Sequence, residues 1–238
     1  MKILRLFLPI VVFELLSRSV FSLLRLAAPG WEGVSALSAA VTAALILLLF
    51  LPGYLKELAV KEDAVQEEKP EALMMGALFA HSRKNGDRTR PGKSVSRKTF
   101  VIKGVLCFLG GMAANVLFSY LLQAIAAGGF FSNEVQEQLL RSPLWLQAAG
   151  ICLLVPAAEE LNYRGLFYGK LRNWRIHSAA AALLSAALFA VGHGNMLQFL
   201  YAFPMGLLLA FCYESGGLLY PILFHIGANL LTVAVSLR

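Results

Sequence analysis

Charge is scarce in this sequence. Of its 238 residues only 15% are Asp, Glu, Lys or Arg, against about 25% in an ordinary soluble domain. With 58% of the residues hydrophobic, intrinsic disorder is excluded, because disorder needs low hydropathy and high charge. A soluble enzyme is excluded on similar grounds: no small domain can hide this much apolar surface from water. Cysteine is scarce too. Cys107, Cys152 and Cys212 stand singly in apolar stretches, a spacing that suggests neither a disulfide framework nor a thiolate metal site. There is no His-Glu-x-x-His run, no Gly-x-Ser-x-Gly elbow and no P-loop, so three common catalytic signatures are missing. No internal repeat and no separate soluble domain can be read.

What is present is long apolar runs. A spanning helix needs about 20 apolar residues, so the length accommodates about six or seven spans. We therefore expect a single all-α domain over residues 1–238, a polytopic membrane helical bundle of about seven transmembrane helices. Residues 3–26 read as a first span, with an amphipathic helix lying at the interface as the alternative. Glu14, Arg18 and Arg25 share one face of it. That face should look into the bundle or toward headgroups. Residues 34–51 form a clean span expected to stop at Pro52-Gly53.

The hydrophilic segment 54–99 begins with mixed charges at helical spacing. Pro70 could open a second short helix through Leu78, Phe79 and Ala80, and 83–98 is rich in Gly, Ser and basic residues. Further spans are expected at 100–125, 143–172, 178–193, 198–213 and 218–235, with a short polar loop at 126–142. The net charge of +7 lies mostly between apolar segments, as in cytoplasmic loops. It therefore points to topology, with the amino terminus inside, and not to a nucleic-acid partner.

Three places put ionisable groups where lipid penalises them. They are Glu159, Glu160 and Arg164 in the fourth long span, His193 at the end of the next, and His225 with Asn229 in the last. A charge in mid-membrane costs about 2.5–3.5 kcal/mol on insertion scales, and such residues normally mark function. At about 100° per residue, Glu160 and Arg164 lie close enough to pair, which leaves Glu159 free to meet another helix. Counted along ideal helices, Glu159 and His193 come within about 3 Å in height, whereas His225 falls about two turns lower. Phe189 stands one turn before His193 and should wall one side of its ring. Pro156 frees a backbone carbonyl upstream of Glu159. Gly227 and Ala228, between His225 and Asn229, admit either a neighbouring backbone or a substrate.

Such a set can activate water and hold an oxyanion. A carboxylate shielded from solvent takes the proton of a water held by an imidazole. A second imidazole and a carboxamide can then donate to a tetrahedral intermediate. One Glu and two His would also suit zinc, so Glu159, His193 and His225 stand as an alternative metal set beside the reading with no cofactor.

The three motifs, Glu159-Glu160-x-x-x-Arg164, Phe189-x-x-x-His193 and His225-x-x-x-Asn229, resemble those of the CPBP family. These are the CAAX-prenyl-protease and bacteriocin-processing intramembrane peptidases, also called the Abi family. The resemblance covers about residues 143–237 as a catalytic core, and 1–142 match only in being helical and membrane-bound. It implies an intramembrane endopeptidase acting on a membrane-associated peptide or protein, multi-pass in a bilayer, with a bacterial plasma membrane as the expected location. In that family the residues matching Glu159 and His193 activate water, and those matching His225 and Asn229 form the oxyanion hole. Residues matching Glu160 and Arg164 shape the site. Members have been described both as metalloproteases and as metal-free glutamate peptidases; the residues here favour the second. Two rival readings are a non-catalytic immunity or partner-binding protein and a proton-coupled transporter. The transporter predicts broken helices in two related halves, whereas here the polar residues crowd into the last third.

Overall fold

The computed structural model describes residues 2–63, 96–126 and 134–237. Among these residues the chain is helical throughout, without strands. Eight helices run in order: α1 Lys2–Ala27, α2 Val34–Asp63, α3 Arg97–Ala126, α4 Glu134–Leu140, α5 Leu144–Asn173, α6 Ser178–Gly192, α7 Met196–Gly216 and α8 Leu219–Ser236. Six of them (α1, α2, α3, α5, α7 and α8) are long and apolar enough to cross a membrane, and α6 is a shorter apolar helix of 15 residues. Their outward faces carry exposed Leu4, Leu48, Leu117, Tyr120 and Phe211. Such a surface is stable against lipid and would aggregate in water.

Two expected boundaries are corrected. Pro52-Gly53 does not stop the second span: α2 runs through both to Asp63. Beyond the proline, Tyr54 and Leu58 bury against Phe167, Leu171 and Tyr213. That burial, in surroundings that offer the backbone no other partner, outweighs the one missing N–H. The expected loop at 126–142 contains α4. Leu139 packs beside Ala36, Ala40 and Leu146, and Gln147 Nε2 donates to the carbonyls of Leu140 (2.8 Å) and Ser142 (2.7 Å) at its end. The helix expected after Pro70 and the basic stretch from Arg83 to residue 95 lie outside the described residues.

Prolines and glycines decide how the helices dock. Pro9 lies inside α1 and has no N–H for the carbonyl of Arg5, one turn back. Lys170 Nζ of α5 donates to that carbonyl at 3.3 Å, and Asn162 Nδ2 donates to Pro9 O at 3.3 Å. At the other side of the bundle α3 and α8 cross backbone to backbone. A Cβ on Gly111 would lie 1.8 Å from Phe224 O, and one on Gly227 would lie 2.1 Å from Phe108 O. Of the two readings of Gly227, the neighbouring backbone is what the fold uses. Asn115 locks this crossing, its Nδ2 meeting Ala228 O (3.0 Å), Thr232 Oγ1 (2.8 Å) and Tyr201 Oη (2.9 Å).

Cys107, Cys152 and Cys212 are all free thiols, with Cys152 and Cys212 buried.

Candidate active site

Helix α5 carries the acidic motif and is not a plain α-helix. Two segments, Gln147–Leu154 and Leu161–Tyr168, are wound in the wider π form, flanking the α-helical turns at Val155–Glu160. Interruptions of this kind concentrate at functional sites because they re-aim side chains.

Pro156 explains part of the upstream segment. The N–H of Val155 bonds to Gly150 O, five residues back. The next acceptor in that register is Ile151 O, and its donor position is Pro156, which has no N–H. Asn229 Nδ2, from α8, takes the vacant carbonyl at 2.9 Å. A proline in one span thus fixes a site residue in another.

Glu160 and Arg164 pair as the i, i+4 spacing predicts, with Nη1 3.0 Å from Oε1 and both side chains fully buried. The guanidinium is held on two further sides. Its Nη2 donates to Gly206 O at 3.1 Å, and its carbon stands 4.5 Å from the Phe189 ring centre. Gly206 permits this, since a Cβ there would lie 2.9 Å from Ala186 Cα and 3.2 Å from Arg164 Nη2.

His225 joins the two carboxylates. Its Nδ1 is 2.9 Å from Glu160 Oε1, and its Nε2 is 3.7 Å from Glu159 Oε2. Glu159 and Glu160 leave α5 on different faces, yet they reach opposite nitrogens of one ring. Ideal-helix counting had put His225 about two turns too low. A π turn takes an extra residue for its advance, so the segment between Arg172 and Glu159 is shorter than that count and lowers Glu159 toward His225.

His193, the residue matched to Glu159 in height, lies within electrostatic range of it but makes no direct ion pair. Its Nδ1 is 2.8 Å from Phe189 O. A carbonyl only accepts, so Nδ1 carries a proton, which leaves Nε2 as the nitrogen that faces the site with a lone pair whenever the ring is neutral.

Phe189 organises the centre. Its ring meets His193 at 4.9 Å, His225 at 5.9 Å and Tyr163 at 5.3 Å, all edge to face. Sequence reasoning placed Phe189 beside His193 only; its contacts with Tyr163 and Arg164 of α5 and with His225 of α8 come from two other helices. Asn162, Tyr163 and Gly206 were not singled out as site residues. The signal available for Asn162 was an amide in a membrane span.

Among the described residues, no three His, Cys, Asp or Glu side chains converge as a metal-ligand group. The alternative zinc set of Glu159, His193 and His225 is not gathered at coordinating distance in this arrangement.

A multi-pass integral membrane protein, then, buries an ion pair and a carboxylate–imidazole cluster inside its bundle. Residues 141–231 match the family model for type II CAAX prenyl endopeptidase Rce1-like proteins, and every residue of the three motifs falls within that stretch. The match supports the CPBP/CAAX-protease family for this chain and, at the level of the family, an intramembrane protease. No curated protein and no solved structure matches the chain.

Proposed function

We propose that the protein is an intramembrane endopeptidase that hydrolyses peptide bonds of membrane-associated substrates without a metal. The observation that carries this reading is His225 standing between Glu159 and Glu160 inside a membrane-spanning bundle.

In this mechanism Glu159 takes the proton from the attacking water, and His193 Nε2 orients that water from the α6 side. Glu159 is the carboxylate for this work because Glu160 is already committed to Arg164 and His225. With protons on both ring nitrogens, His225 donates through Nδ1 to Glu160 and offers Nε2–H to the oxygen of the tetrahedral intermediate. Two carboxylates, one guanidinium and one imidazolium then balance in charge, which matters where water is excluded. Asn229 spends one amide hydrogen on Ile151 O and keeps the second for the same oxyanion. Each such donor, aimed in advance, is worth about 3–4 kcal/mol of barrier. The proton on Glu159 passes to the departing amine as the C–N bond breaks, which restores the carboxylate.

Cleavage of a fluorogenic membrane peptide by the purified chain, with and without chelator, tests this. Turnover that survives chelation supports the metal-free reading. Turnover lost on chelation and restored by zinc alone overturns it, and no cleavage at all favours the binding or immunity alternative.

A further inference from the structure

Glu14 is a carboxylate inside a membrane span that forms no ion pair with any described residue. It is half-buried on α1, and Arg18, four residues on, is exposed. Glu14 turns instead toward the candidate active site. A Cβ built on Gly192 would lie 3.4 Å from Glu14 Oε1 and 2.8 Å from the Tyr163 hydroxyl. Gly192 directly precedes His193, and Tyr163 packs edge-on against Phe189, the ring that touches both imidazoles. Helix α1 is held in this position by the bonds from Asn162 to Pro9 O and from Lys170 to Arg5 O. One wall of the site therefore comes from outside the stretch that matches the family model.

The charges around the site are otherwise matched. Glu160 has Arg164, and Glu159 has His225. Glu14 has no cation at ion-pair distance among the described residues, and an unmatched carboxylate within a membrane is costly enough to mark a use. Gly192 beside it is exposed, so the carboxylate can be reached from outside the bundle.

We propose that Glu14, with the Tyr163 hydroxyl beside it, forms a subsite for a cationic group of the substrate: a Lys or Arg side chain close to the scissile bond. The subsite rests on the peptidase reading above. The carboxylate attracts the cation in a place where water screens little, the hydroxyl orients it, and an acidic residue at that position is rejected by like charge.

The test uses the purified full chain and a set of fluorogenic membrane peptides that differ at one position. Lys, norleucine or Glu is placed in turn on each side of the scissile bond. At one position Lys should raise kcat/KM about tenfold over norleucine, the ratio of a modest ion pair, and Glu should lower it. Glu14→Gln should bring the Lys-to-norleucine ratio to about one, and Glu14→Lys should reverse it in favour of Glu. A wild-type enzyme with no Lys preference at any position defeats the subsite, whether or not a variant folds. So does a preference that persists in Glu14→Gln, or one that appears only once Arg18→Gln removes a competing cation. Failure to cleave any peptide, neutral or charged, brings down the peptidase reading and the subsite together. Cleavage without charge preference brings down the subsite alone.

Discussion

Replacing Glu160 by Gln tests whether the centre of the site is held by charge or only by shape. One oxygen, Oε1, accepts from both Arg164 Nη1 (3.0 Å) and His225 Nδ1 (2.9 Å), while Oε2 is buried without a hydrogen-bond partner. Glutamine can keep its carbonyl in the Oε1 position and so preserve both acceptances. Two things then change. Arg164 loses its counter-charge while fully buried, and an amide N–H replaces an oxygen that already had no partner.

Breaking one side of a buried pair costs about 3–5 kcal/mol. For a chain of this size that corresponds to a fall in Tm of about 6–20 °C. Thermal unfolding in detergent, followed by tryptophan fluorescence, reads it directly. A double-mutant cycle with Arg164→Met separates the pair from the rest: the double variant should be less destabilised than the sum of the single ones, because it no longer buries a lone cation. If Glu160→Gln unfolds within about 2 °C of wild type, less than 1 kcal/mol by the same scale, the argument is wrong and the ion pair is solvated or minor.

The other expectations follow from single contacts. Glu159→Ala and His193→Ala should each abolish peptide cleavage while the folded protein stays in the membrane, as measured by turnover beside detergent melting; substantial residual turnover in either would remove that residue from water activation. Asn229→Ala should lower kcat by about 10²–10³ with little change in KM if its free N–H serves the oxyanion; a change confined to KM would reassign it to binding. Under the zinc alternative His225→Ala would lose a stoichiometric metal, so metal analysis of wild type and variant decides between the two. Gly227→Ala should destabilise the protein or prevent its folding, since its Cβ would fall 2.1 Å from Phe108 O, whereas Gly53→Ala meets nothing within 4 Å. The latter should be neutral or stabilising by up to about 1 kcal/mol, and equal melting temperatures for both would contradict the close α3–α8 crossing.

Composition and period were enough to read an all-helical membrane bundle, because the bilayer leaves an apolar chain few other ways to satisfy its backbone. The pairing of Glu160 with Arg164 was equally legible. It follows from an i, i+4 spacing within one helix. The same local logic failed at Pro52, where a helix breaker was overruled by the burial of Tyr54 and Leu58, residues whose partners lie more than a hundred positions away.

The partner of Glu159 lay beyond sequence counting for a related reason. Ideal rise and rotation favour His193, but the π turns of α5 change both, and they bring His225 to the two carboxylates instead. Likewise Pro156 announces a vacant carbonyl, yet nothing local says that Asn229 will fill it. Glu14 shows the limit most plainly. Its helical face could be drawn from spacing alone, but whether that face met lipid headgroups or an active site depended on where α1 docks. That docking rests on partners far away in sequence: the apolar packing of Leu6, Phe13 and Leu16 and the bonds from Lys170 and Asn162 to backbone carbonyls one turn apart around Pro9.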